Sequence, residues 1–243
     1  MIDVPFLVDT MVQLLMALPT TVALMVSSVA LGGVLAAGLT AMRLSGRPVA
    51  VGFARTYVFV FRGSPLLIQL FLIYYGLAQF DAVRASPLWL LMRYPFGCAT
   101  LALALCTAAY TSEIFRGGVQ AVQPREIEAA RACGMSGWLL LRRIVTPLAL
   151  RQALPAYSNE LILMVKSTTL AGLVTVWEVT GVAQRIIANT YRTEEVFLCA
   201  ATIYLVLNFL IARGAAALEY RLSAHRRPLV PNLNPHASPH HAP

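Results

Sequence analysis

Four ionisable residues lie where apolar sequence surrounds them. Arg62 follows Val58-Phe59-Val60-Phe61, and Glu113 follows an uncharged run from residue 95 to 112. Glu160 and the chain's only lysine, Lys166, flank Leu161-Ile162-Leu163-Met164-Val165. A charge at mid-bilayer costs about 2.5–3.5 kcal/mol on insertion scales, so each such residue needs a partner, a wet cavity or a route to the interface. Groups of this kind can border a path for a polar solute. They do not compose a covalent catalytic centre. All four histidines lie at or beyond His225, and Cys98, Cys106, Cys133 and Cys199 form no CxxC pair. Three of the cysteines fall in apolar runs and read as small hydrophobes, so no metal site is expected. The chain also lacks a G-x-x-x-x-G-K-[ST] phosphate loop, and Lys166 sits inside an apolar run where no such loop could form.

The elements that hold these residues must be membrane helices. Of the 243 residues 58% are hydrophobic and 12% charged, with mean hydropathy +0.68; soluble domains carry about twice that charge fraction. Five spans can be placed, within 11–42, 56–80, 95–115, 152–176 and 196–217. The first holds no charge and carries Ser28, Gly32, Gly33, Ala36, Ala37 and Gly38, a spacing of small residues that lets a neighbouring helix approach closely. No cleavable signal peptide is expected, because Asp3 and Asp9 stand where a basic n-region would be and the first apolar stretch is too long for an h-region.

Charge placement orients the spans. The net charge of +8 could suggest nucleic acid, but arginine is concentrated in alternate loops. The first loop has Arg43, Arg47 and Arg55 and no acid, and 116–151 has six arginines against Glu126 and Glu128. The C-terminal segment has Arg213, Arg221, Arg226 and Arg227. By the positive-inside rule these face the cytoplasm and the N-terminus faces out. The expected fold class is an all-α membrane protein of five transmembrane helices, N-out and C-in. Residues 1–10 form an external (periplasmic) stub, 11–217 one transmembrane domain, and 218–243 a disordered cytoplasmic tail, in which His236, His240 and His241 belong to a mobile polar segment.

The loop at about 119–148 has its own pattern. Residues 126–133 combine good helix formers with an apolar seam, Ile127 and Ala130. Gly134 can take the left-handed conformation that ends a helix. Ser136 can cap a second helix over 137–144, with Trp138, Leu139, Leu140 and Leu141, which Pro147 should stop. An interfacial anchor would explain the tryptophan and leucines. It would not explain a Glu-Ala-Ala face followed at fixed distance by glycine, whose small side chains suit insertion into a protein groove.

Here a resemblance becomes specific. Glu128-Ala129-Ala130, then Gly134, Ile144 and Pro147, resembles the EAA loop of type I ABC importer permeases, with Thr146 where leucine is usual. Arg62-Gly63-Ser64-Pro65-Leu66-Leu67-Ile68-Gln69 resembles the RGTPLLxQ segment of the polar amino-acid branch. Ala109-Tyr110-Thr111-Ser112-Glu113-Ile114-Phe115-Arg116-Gly117-Gly118 resembles its AYxxEIxRGG segment, and Lys166-Ser167-Thr168-Thr169-Leu170 its K-D-T-S-L segment, with Ser167 replacing the acid. Ala153-Leu154-Pro155-Ala156-Tyr157-Ser158-Asn159-Glu160 is similar to the M-type subunit of histidine/lysine/arginine/ornithine importers and of opine permeases. The resemblance covers roughly residues 20–217.

The resemblance implies a bacterial inner-membrane, multi-pass permease subunit that passes a polar, basic amino acid or opine into the cell by alternating access. It implies a second, non-identical (Q-type) permease, a dimer of ATPase subunits carrying the ATP and Mg, and a periplasmic substrate-binding protein. This chain would hold no cofactor and catalyse nothing itself. Glu128, Ala129, Ala130 and Gly134, with Met135 beside them, would dock in a groove of the ATPase.

The candidate path residues are Arg62, Ser64, Pro65, Gln69, Tyr110, Glu113, Asn159, Glu160 and Lys166. Arg62 and Gln69, seven apart, fall on one helical face, with Pro65 between them able to kink or break the helix. Glu113 can pair with Arg116 or Arg62. If Pro155 starts the fourth span, Glu160 lies roughly 8 Å and Lys166 roughly 16 Å into it. Glu160 is then either a partner for a cationic side chain or half of a helix–helix ion pair with Arg62. An ATP-independent secondary transporter or channel subunit is the alternative, against which stands the lack of an internal repeat.

Overall fold

A computed structural model describes residues 3–222, and the regular elements among them are all helical. Helix α1 spans Val4–Leu44, capped by Asp3, whose carboxylate accepts the Phe6 N–H at 3.2 Å. α2 (Pro48–Gly63) and α3 (Leu66–Phe71) follow. Short helices α4 (Asp81–Arg84) and α5 (Trp89–Met92) lead to α6 (Pro95–Gln120). α7 (Pro124–Ala132) and α8 (Gly137–Leu140) precede α9 (Thr146–Ser167). α10 (Val179–Thr190) and α11 (Thr193–Leu222) complete the described chain.

Among the described residues three helices are long and apolar enough to cross a membrane: α1, α6 and α11. Two bent pairs could each supply one more span. Pro48–Gly63 and Leu66–Gln79 meet at 104°, and Gly137–Val174 and Val179–Thr190 at 47°. Five spans are therefore reached only if each bent pair counts as one. Of the tail expected to be disordered over 218–243, residues 218–222 continue α11, while 223–243, with all four histidines, lie outside the described residues, as do Met1 and Ile2.

The core is built on small side chains. α6 packs against α1 on one side and α9 on the other, burying Gly97, Ala99, Ala102, Ala104, Ala108, Ala109 and Gly118. Two glycines set these approaches. A Cβ on Gly32 of α1 would overlap Thr107 Cγ2 and lie 3.0 Å from the Ala104 carbonyl, and one on Gly118 would lie 2.6 Å from the Ala149 carbonyl of α9. Backbones this close gain dispersion contacts that lipid cannot match.

At the end away from the arginine-rich loops, Arg192 ties the helix starts together. It pairs with Asp3 at 2.9 Å and, through two nitrogens, with Glu195 at 2.6 and 2.8 Å. The guanidinium holds the Asp3 carboxyl below its ordinary range.

Prolines act differently from the sequence expectation. Pro147 does not stop the helix that begins at Gly137. A π-helical turn, Leu141–Val145, precedes α9, so Pro147 falls in the first turn of that helix, where its missing N–H is tolerated. Pro155 does not start the fourth span but lies inside α9. Glu160 is therefore fourteen residues (160 − 146) from the start of α9, about 21 Å along its axis rather than 8 Å.

Candidate functional site

The loop helix is built to present one face and bury the other. α7 ends in a Schellman turn. Gly134 has φ +78°, the Met135 N–H donates to the Ala130 carbonyl at 3.0 Å, and the Gly134 N–H donates to the Arg131 carbonyl at 2.9 Å. Ala130, Leu140 and Val145 form a small apolar cluster, joined by Val119, Ile127, Met135 and Ile144. Ile127 and Ala130 are thus the buried seam, and Met135 folds back onto it. Glu128, Ala129 and Gly134 stay exposed. The five proposed coupling residues divide accordingly: three form a surface, and Ala130 and Met135 hold it in place. Ser136 takes the extended cap conformation, but its hydroxyl makes no capping bond, so Gly137 with φ +51° carries the reversal.

Pro65 does break its helix. Ser64 (ψ 144°) and Pro65 (ψ 132°) are both extended, and the chain turns through 104°. This leaves carbonyls without helical partners, and Gln69 supplies them. Its amide donates to the Phe61 carbonyl at 2.9 Å, the Ser64 carbonyl at 3.1 Å and Ser64 Oγ at 2.9 Å. Ser64 Oγ in turn donates to the Val60 carbonyl at 2.7 Å. Arg62 and Gln69 therefore do not share one helical face, because the helix is interrupted between them. Ser64, Pro65 and Gln69 form a rigid corner.

Three positions on α6, one helical turn apart, organise the remaining charges. Thr107 Oγ1 donates to Glu160 Oε1 at 2.7 Å, and Glu160 is only 8% exposed. Tyr110 lies under Arg62, whose guanidinium carbon is 5.0 Å from the ring centroid. Glu113 is held by Arg116 at 2.7 Å and by Arg43 of α1 at 3.1 Å. The Glu113 pairing with Arg116 was expected. Arg62 is not its second partner, because Arg43 takes that place. The Glu160–Arg62 ion pair, one of the two alternatives for Glu160, is absent among the described residues, where Thr107 holds the carboxylate instead. Asn159 and Lys166 lie apart from Glu160. They are exposed on a strip of α9 with Pro155, Ala156 and Leu163.

Sequence reasoning missed Thr107, which sits in an apolar run, although its three-residue spacing to Tyr110 and Glu113 is a readable polar stripe. It used Arg43 only for topology and did not single out Glu178. Glu178 is wholly buried. It caps α10 by accepting the Gly181 N–H at 2.8 Å and the Thr180 N–H at 3.0 Å, and it also accepts the Tyr204 hydroxyl at 2.7 Å. Glu178 thereby pins α10 to α11. Among the described residues no cluster of His, Cys, Asp or Glu is arranged to hold a metal ion.

Comparison with known proteins bears on what this arrangement serves. The family described as "Binding-protein-dependent transport system inner membrane component" matches residues 30–224. The octopine transport system permease protein of Rhizobium radiobacter is 54% identical over 225 residues, 93% of this chain and 92% of its own. The histidine/lysine/arginine/ornithine transport system permease protein of Escherichia coli K12 is 40% identical over 209 residues, 86% of this chain and 88% of its own. The crystal structure of an amino acid ABC transporter with histidines superposes with TM-score 0.79 at 31% identity, over 91% of this chain and 99% of that one.

Proposed function

The chain belongs to the family of binding-protein-dependent transport system inner membrane components, multi-pass proteins of the inner membrane, and we propose that it is the permease subunit of an ATP-driven importer for basic amino acids or opines. The observation that carries the substrate class is its extended similarity to permeases named for octopine and for histidine, lysine, arginine and ornithine. Residues 11–217 are the transmembrane permease domain, N-out and C-in, with the arginine-rich end in the cytoplasm. The 119–148 segment is the coupling loop.

In this reading α7 is the coupling element. An ATPase is a separate chain, present as a dimer and holding the ATP and Mg. Its groove receives Glu128, Ala129 and Gly134, while Ala130 and Met135, packed on Leu140 and Val145, carry its movement into α9. Through α9 the movement reaches Glu160 and its partner Thr107. The permease lowers no covalent barrier. It offers two access states, and the ATPase biases them by contacting α7 differently in each. A periplasmic binding protein delivers the solute, and a second, non-identical permease completes the channel. Arg62, Tyr110 and Glu160 border the path; Asn159 and Lys166 face the second permease or the cavity between the two.

The test is uptake in proteoliposomes carrying the chain with its co-purified partners and binding protein. Radiolabelled arginine or octopine is expected to accumulate only with ATP and Mg on the ATPase side. Accumulation without ATP would overturn the reading in favour of a secondary transporter.

A further inference from the structure

Arg62 is a cation without an anchor. Its ring partner Tyr110 lies one turn of α6 from Thr107, which holds Glu160, and one turn from Glu113, yet among the described residues Arg62 forms an ion pair with neither acid. Glu113 is already claimed by Arg43 and Arg116. Glu160 gives Oε1 to Thr107, while its Oε2 accepts no hydrogen bond among the described residues. What holds the guanidinium is the Tyr110 face, 5.0 Å away, and its position in the last turn of α2, where the helix dipole favours a cation. The corner stapled by Gln69 fixes the backbone directly after it. The side chain itself is exposed and can swing.

We propose that Arg62 is a tethered competitor in the path: its guanidinium rests on Tyr110, one turn of α6 from the Thr107 that holds Glu160, where the cationic end of an incoming solute must pass. The inference rests on the reading that Glu160 borders a path for cationic solutes. Arg62 yields to an equal charge, because the arriving cation replaces it on the ring and gains Glu160 Oε2 as well. A neutral solute of the same shape gains neither and leaves Arg62 in place. Arg62 thus sets charge selectivity without holding substrate, and the resting path keeps its acid screened.

The test uses the complex co-purified with the chain, in detergent and without binding protein. Binding of L-arginine is compared with that of L-citrulline, which has the same shape with an uncharged urea group. Arg62→Gln is expected to tighten arginine binding roughly 2- to 5-fold, the weight of one exposed cation–π contact, and to leave citrulline unchanged. Arg62→Lys keeps a competing cation and should stay near wild type, and Arg62→Met should follow Arg62→Gln. Adding Glu160→Gln to Arg62→Gln should abolish the gain. Equal or weaker arginine binding in the assembled Arg62→Gln and Arg62→Met complexes would overturn the proposal, as would parallel changes for both ligands. If, in the proteoliposome assay, wild type takes up ornithine, arginine and octopine no better than citrulline, the functional reading itself falls, and this proposal with it.

Discussion

Gly32→Ala should damage the protein through a single methyl group. The added Cβ would overlap Thr107 Cγ2 and press to 3.0 Å on the Ala104 carbonyl. Either α1 and α6 part along a tightly packed interface, or Thr107 rotates. Overpacking of this kind costs about 1–3 kcal/mol. If Thr107 rotates, Glu160 also loses its 2.7 Å hydrogen bond, worth about 1.5–3 kcal/mol to a charged acceptor. In thermal unfolding of the detergent-solubilised complex, the midpoint should fall by on the order of 5 °C, and arginine uptake should fall with it. Gly33→Ala is the control, since nothing lies within 4 Å of its added Cβ. Thr107→Ser removes the opposing methyl and keeps the hydroxyl, so Gly32→Ala with Thr107→Ser should recover most of the loss, a coupling that independent sites would not show. The reasoning is refuted if Gly32→Ala and Gly33→Ala melt together, or if Thr107→Ser rescues nothing.

Gly134→Ala forces φ +78° on a side-chain residue and should cost about 1–2 kcal/mol confined to the α7 turn; substrate-stimulated ATPase activity should drop while the melting midpoint barely moves. Gln69→Leu keeps the volume but removes the donors that staple the 104° corner; a loss of about 2 kcal/mol should appear in thermal unfolding together with reduced uptake. Glu178→Gln keeps the shape but sets an amide against two N–H groups and the Tyr204 hydroxyl. It should destabilise by about 1–3 kcal/mol and raise hydrogen exchange in α10 and the start of α11.

The sequence-level reading succeeded where one local rule governed the outcome. Gly134 had to be left-handed once a helix ended in Cys-Gly-Met, and Ile127 with Ala130 had to be its buried seam. Pro65 could kink or break its helix, and it breaks it. It failed where a neighbouring element decided. Pro147 reads as a stop, but the π turn at Leu141–Val145 shifts the register so that the helix continues through it. Pro155 reads as a start, yet the long packed interface of α9 with α6 carries the helix across it. Partners of buried charges were the least legible. Arg62 was one of the two kinds of partner the sequence offered Glu160, whereas the α6–α9 approach delivers a threonine. Arg43 is 70 residues (113 − 43) from Glu113 in the chain, and only the fold brings it from the end of α1 to that acid.

The central claim is that the exposed face of α7 couples this chain to an ATPase. The most direct test is to purify the tagged chain from its native host in mild detergent and identify what accompanies it, alongside Glu128→Arg and Gly134→Asp variants shown to insert. The account predicts that a nucleotide-binding ATPase and a second permease come with the wild type, and that the ATPase is lost from both variants. A wild-type chain reproducibly free of any ATPase, or variants that retain it in full, would contradict the account.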